Sequence, residues 1–144
     1  MKKLIAGLVL SLGLVLPLTY ATTPAAETAV TTVVSAELEE AVAANNAAGE
    51  KVVAINEAIV ALANEKRCDD EGIYERYCLG SEVAQYAGAL AKIASFDLLV
   101  GDEADAIKNL NKSTKLLGVA ETRLMAVLAE IKAYEPKPAP NSDV

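Results

Sequence analysis

Two cysteines, Cys68 and Cys78, are the residues of this chain best suited to covalent chemistry. Nine residues separate them, whereas a redox-active dithiol uses Cys-x-x-Cys with one thiolate stabilised at a helix N-terminus. The neighbouring carboxylates also disfavour a thiolate. In an oxidising compartment an even cysteine count predicts one structural disulfide, with free thiols or a metal site as the alternatives. The chain-entropy model assigns roughly 3 kcal/mol to so short a loop.

The acidic residues that follow Cys68 are the second group with chemical potential. Asp69, Asp70 and Glu71, with Glu75 and Glu82, carry the carboxylate oxygens that Ca²⁺ prefers. Their spacing does not match the alternating Asp-x-Asp-x-Asp-Gly loop, so we interpret them as a solvated loop. A carboxylate pair for glycoside hydrolysis would need aromatic platforms for the sugar, and only 4% of the residues are aromatic.

The residue types that are missing exclude several kinds of site. The chain has no His, which excludes Ser-His-Asp and Cys-His nucleophiles, His-bearing zinc sites and haem held by an imidazole. A net charge of −7 argues against nucleic-acid binding through phosphates. The glycines form no phosphate-binding loop. The sequence therefore predicts a protein that is not an enzyme and that holds no cofactor or metal.

Aromatic and cationic residues concentrate beside the cysteines. Tyr74, Tyr77 and Tyr86 lie close together in the sequence, with Arg67 and Arg76 next to them. Tyr and Arg dominate binding hot spots because they bury large areas and still form hydrogen bonds. One interpretation is a surface, presented by the disulfide loop, for a protein partner that the acidic residues attract if it is basic. The other is that the tyrosines cover the disulfide and cap the end of a bundle.

The N-terminal segment has the composition of a secretory signal peptide. Lys2 and Lys3 precede an apolar run at residues 4–18, and residues 19–21 (Thr-Tyr-Ala) form a small-residue cleavage site. The run is shorter than the ~20 residues that span a bilayer, and no cysteine follows to carry a lipid. We expect cleavage after Ala21, a periplasmic or secreted protein, and no stable membrane insertion afterwards. Cleavage leaves 11 basic and 20 acidic residues, a formal charge of −9.

Apolar residues between positions 34 and 62 alternate at intervals of four and three, which predicts a long helix packed against partners. The positions are Val34, Leu38, Ala41, Asn45, Ala48, Val52, Ile55, Ile59 and Leu62. Asn45-Asn46 and Gly49 are the point at which this helix would break in two, although we favour one continuous helix.

Residues 67–80 are predicted to form a loop, because Gly72 and Gly80 flank a short segment beside the acidic cluster. Ser81 is a good N-cap for a second helix, which Gly101-Asp102 ends. The predicted inner face of that helix comprises Val83, Tyr86, Leu90, Ile93, Phe96 and Val100. A third helix follows to Tyr134, and its apolar residues are Ile107, Leu110, Leu117, Leu124, Leu128 and Ile131.

Residues 87–120 resemble one hairpin of the tetratricopeptide repeat. The matching positions are Leu90, Ile93, Ala94, Gly101-Asp102, Ala106-Ile107 and Leu110. Asp97 stands where the repeat usually has Tyr, Gly118 where it usually has Pro, and no second copy appears at a 34-residue offset. The resemblance implies a helical hairpin, and it does not extend to binding of peptides in a groove.

These patterns predict an all-α fold, a small antiparallel bundle of three long helices, or four if the first breaks, with one disulfide-closed loop. The chain divides into a signal peptide (1–21), a Thr/Ala/Val-rich arm or early helix (22–34), the helical domain (35–134) and a Pro-rich tail (135–144). Many core positions are Ala, which buries little area, so a cross-link or self-association would add stability.

Two functional hypotheses remain for this small acidic protein. In the first, it binds another protein, as an inhibitor, an immunity protein or a chaperone. In the second, it is a structural protein of the cell envelope that self-assembles into a homo-oligomer through a coiled coil, in which Asn45 fixes the register. Its mass in solution distinguishes them.

Overall fold

The computed structural model describes residues 34–136, so the predicted signal peptide, residues 22–33 of the arm and residues 137–144 of the tail lie outside them. Three helices make up nearly all of this region: α1 (Ala36–Lys66), α2 (Glu71–Leu99) and α3 (Glu103–Ala133). No strand occurs between residues 34 and 136, and the all-helical bundle is confirmed. Helix α1 is continuous through Asn45 and Gly49.

Each helix begins at a side chain that accepts a hydrogen bond from a backbone N–H in its first turn. Ser35 Oγ accepts from Leu38 N in α1, and Asp70 Oδ1 accepts from Ile73 N in α2. Asp102 Oδ1 does the same in α3. These bonds satisfy donors that a helix N-terminus otherwise leaves unpaired, so the caps set where each helix starts.

The segment between residues 71 and 80 is helix and not the predicted loop. Asp70 is the N-cap of α2, and the predicted cap, Ser81, lies buried inside the helix. Gly80 does not break α2. It faces Leu124 of α3, and a Cβ atom at position 80 would lie 2.9 Å from the leucine side chain. This glycine provides a close approach between two helices.

The disulfide prediction is wrong for the same reason. Cys68 and Cys78 are both free and are not close to one another. Cys68 lies in the connection before α2, while Cys78 lies two turns into the helix. A helix rises ~1.5 Å per residue, which carries Cys78 beyond the ~7 Å between Cα atoms that a disulfide tolerates.

Helix α3 supplies most of the core, through two rows of buried residues that each repeat every seven positions. One row is small: Ala106, Ser113, Ala120 and Val127. The other row is large: Leu110, Leu117, Leu124 and Ile131. Both other helices pack on these rows.

Helix α2 meets α3 with its smallest side chains, namely Gly80, Ser81, Ala84, Ala87 and Ala94. The bulky residues predicted to form its inner face lie on the outside instead. Tyr86 is 62% exposed and Val100 is 81% exposed, while Val83 and Leu90 are half-buried. Small residues let α2 approach closely enough for the leucines of α3 to fill the space between the helices.

Helix α1 buries a seam close to the predicted one. Leu38, Ala41 and Asn45 are buried as predicted, together with Val52 and Ile59. The structure buries Gly49 and Asn56 in place of their predicted neighbours Ala48 and Ile55, and it buries Val42 as well. Most of this seam therefore packs within the bundle.

A buried polar layer joins all three helices. Asn45 Nδ2 of α1 donates to Ser113 Oγ of α3 at 2.8 Å and to Thr114 Oγ1 at 3.2 Å. Ser113 Oγ in turn donates to the carbonyl of Ala87 in α2 at 2.8 Å. Because buried polar groups are costly unless paired, this layer favours one register of the three helices over shifted alternatives.

Candidate interaction surface

Tyr77, one of the predicted partner-binding residues, belongs to the core. It is 7% exposed, and its hydroxyl donates to Asn56 Oδ1 of α1 at 2.6 Å. Burial raises the pKa of Tyr77. Ser81 Oγ, buried beside it, makes no hydrogen bond of good geometry within the described residues. Tyr77 therefore joins α1 to α2 and is not presented to a partner.

The other predicted site residues do not form one surface. Tyr74 is half-buried against the core, and a hydrogen bond with Cys78 raises its pKa. Arg67 is exposed at the end of α1 in a left-handed conformation, with φ of 51°. Arg76 Nε donates to both carboxylate oxygens of Glu130 in α3 at 3.0 Å. Of the three predicted tyrosines, only Tyr86 is exposed.

The acidic residues next to Cys68 are partly engaged in structure. Asp69 accepts a short hydrogen bond from the hydroxyl of Tyr134, which raises the pKa of that tyrosine. Lys66 Nζ donates to the carbonyls of Lys132 and Tyr134. These contacts fasten the end of α3 to the end of α1. Within residues 34–136 there is no group of three or more Cys, Asp or Glu side chains placed to hold a metal ion.

An apolar face lies on the outside of α2 and α3, and we call it the outer face. Two polar pairs mark its ends: Arg76 with Glu130, and Asp97 with Asn109. Between them lie the apolar residues that continue the same seven-residue spacing: Leu79, Val83, Tyr86, Leu90 and Ile93 of α2, and Leu116 and Val119 of α3.

Burial divides the outer face into a base and an exposed crest. Val83 and Leu116 pack against the core and form the base. Leu79, Tyr86, Ile93 and Val119 are each more than two-fifths exposed and form the crest. Single exposed apolar residues are ordinary, but a contiguous row of them marks an interaction site in a soluble protein.

A second group of exposed apolar residues lies at the corner between α2 and α3. Phe96 is 67% exposed, and Leu99 and Val100 are more exposed still. They precede Gly101, whose φ of 82° reverses the chain. This corner extends the apolar surface beyond the Asp97–Asn109 end of the outer face.

Charge is distributed unevenly over the bundle. Helix α1 carries six glutamates and two lysines. By the same spacing, the outer face carries three cationic side chains and two anionic ones: Arg76, Lys112 and Arg123 against Asp97 and Glu130. The acidic excess of the chain therefore does not extend to the outer face.

No family model, no curated protein and no solved structure matches this chain. The resemblance of residues 87–120 to a tetratricopeptide hairpin therefore stays a local likeness. In residues 34–136 no helix is both long enough and apolar enough to cross a membrane.

The spacing of the bulky apolar residues in α2 is a sequence signal for the outer face. It predicts a buried inner face, whereas the structure places these residues on the outside of the helix. Val83, Tyr86, Leu90 and Ile93 follow helical spacing, which normally indicates a core. A second row of small residues follows the same spacing on the other flank of α2, at Gly80, Ala84, Ala87 and Ala94. Two such rows on one helix predict two contact surfaces.

Proposed function

We propose that this protein is exported and not enzymatic, and that it acts by binding another protein through the outer face. One observation carries the proposal: apolar side chains at helical spacing are exposed along one side of α2 and α3. Interfaces between proteins have cores that are depleted in charge and enriched in apolar and aromatic side chains. The outer face has this composition, with Tyr86 near its middle. Export is supported by the sequence of residues 1–21.

We further propose that α2 and α3 are antiparallel, which decides the residues that share the outer face. Three contacts support this arrangement. Arg76, early in α2, meets Glu130, late in α3. Ala87 meets Ser113, and Asp97, late in α2, meets Asn109, early in α3.

The test replaces two crest residues with small polar ones, Tyr86→Ser and Ile93→Ser together. Both side chains are largely exposed, so we expect helicity by circular dichroism to be unchanged. If they are hot spots, binding of the native partner should weaken by ~2 kcal/mol or more. The measurement is affinity capture from the native periplasm, followed by titration of the captured partner.

Met125→Ser is the matched control. Met125 is 49% exposed, close to the 47% of Ile93, and lies on the opposite flank of α3. Its replacement should leave capture intact. If the doubly substituted protein captures the same partners as the unchanged chain with the same affinity, the outer face is not the binding surface and the proposal is wrong.

A further inference from the structure

We infer that a second copy of this chain covers the outer face, so that two bundles form a symmetric dimer. The inference rests on the proposed function and names the partner. The apolar residues of the outer face in α2 have the spacing of a seam between helices. Leu79, Val83, Tyr86, Leu90 and Ile93 alternate at four and three, as the residues in a seam between helices do. Ridges with this spacing pack into the grooves of another helix, and a twofold axis pairs the face with itself.

The size of the outer face also suits a dimer. Together with the adjoining corner, the apolar stripe extends from Leu79 to Val100, about six helical turns or ~30 Å. Two neighbouring helices at a spacing of ~10 Å make the face ~20 Å wide. The projected area of ~600 Å² approaches the ~800 Å² that each partner buries in a stable interface of standard size.

The charge distribution favours a copy of the chain over a basic protein. The acidic residues near Cys68 predict a basic partner. Electrostatic attraction would bring such a partner to α1, where the glutamates concentrate. The outer face has no acidic excess to attract it. When two copies meet at this face, each α1 lies on the far side of its own bundle. The two acidic helices are then ~25 Å apart, well beyond the ~8 Å Debye length at physiological ionic strength.

The first experiment measures the mass of the exported chain by light scattering and sedimentation. We expect twice the mass of one chain. The double substitution Tyr86→Lys with Ile93→Lys places two like charges at the symmetric contact and should weaken dimerisation about 100-fold or more. Met125→Lys adds the same charge on the other flank and should leave the dimer intact. Circular dichroism checks that each variant is folded.

A second experiment reports burial directly. The chain has no Trp, so a single introduced Trp is its only indole. Emission from an Ile93→Trp protein should shift to shorter wavelength as the protein is concentrated, because the indole becomes buried in the dimer. Emission from Met125→Trp should not change with concentration.

The outcomes separate this inference from the proposed function. If the unchanged chain is monomeric at high concentration, and crest substitutions still abolish capture of a different protein, the second-copy inference is wrong and the proposed function stands. If a dimer survives the double Lys substitution, the dimer uses another surface and the inference is also wrong. If the chain is monomeric and crest substitutions affect no binding, both fail.

Discussion

Two glycines that lie inside helices of this bundle differ in the space around them. Gly80 and Gly118 both lie inside helices, where glycine costs ~1 kcal/mol relative to alanine. A Cβ atom at Gly80 would lie 2.9 Å and 3.1 Å from two carbons of the fully buried Leu124. At Gly118 nothing lies within 4 Å of the same atom.

Alanine substitution should therefore change stability in opposite directions at these two positions. Gly80→Ala should lower the free energy of unfolding by ~1–2 kcal/mol, because overpacking of ~1–3 kcal/mol outweighs the gain in helix propensity. Gly118→Ala should raise it by up to ~1 kcal/mol. Urea denaturation of both variants is the measurement. Equal stabilisation by both would show that α2 and α3 are not in close contact at Gly80.

At the scale of an element, the start of α2 decides how residues 67–80 are organised. The sequence predicts Ser81 as the cap of this helix and places Asp70 in a loop. In the structure Asp70 Oδ1 accepts the hydrogen bond from Ile73 N at 2.9 Å. An earlier start turns residues 71–80 of the predicted loop into nearly three turns of helix.

Two substitutions distinguish the caps. Asp70→Ala should cost ~1 kcal/mol of unfolding free energy, while Asp70→Asn, which keeps an acceptor, should cost much less. Ser81→Ala should leave stability unchanged or slightly raised, because it removes a buried hydroxyl without a well-formed hydrogen bond. Thermal and urea unfolding measure both effects. A loss of ~1 kcal/mol in Ser81→Ala with none in Asp70→Ala would assign the helix start to Ser81.

Local sequence patterns predict the helices of this fold better than they predict the contacts between them. Helix type, the Gly101-Asp102 turn and the seam of α3 were predictable, because apolar spacing and capping residues act locally. Which side of α2 is buried could not be predicted, because it depends on whether a partner helix supplies large residues opposite the small ones. The leucines of α3 fill the space that Gly80 and Ala84 leave open. The exposure of Tyr86 follows from that choice.

For the molecule as a whole, one buried tyrosine connects stability to pH. Burial raises the pKa of Tyr77, so the folded protein holds this proton more tightly than the unfolded chain does. The contribution of Tyr77 to stability is therefore fully present below about pH 10, the ordinary value for a tyrosine. It is lost as the pH rises through the higher pKa of the folded state.

Tyr77→Phe tests this dependence. At neutral pH it should cost ~1–3 kcal/mol, because Asn56 Oδ1 keeps no donor in a buried position. Above pH 10 the variant should lose less further stability than the unchanged protein does. Tyr86→Phe, at an exposed position, is the control and should follow the unchanged protein. Identical alkaline profiles for all three would show that the Tyr77 hydroxyl is not held in the core.

The two ends of the described chain contact opposite ends of α3. Val34 packs against the cluster that contains Ala106 and Leu110, where α3 begins. Lys66 donates to the carbonyls of Lys132 and Tyr134, where α3 ends. Two attachments, one before residue 34 and one after residue 136, would be held apart by the ~46 Å length of a 31-residue helix. The bundle would then act as a rigid spacer. A pull on its ends would load the α1–α3 seam in shear along its whole length instead of opening it one turn at a time.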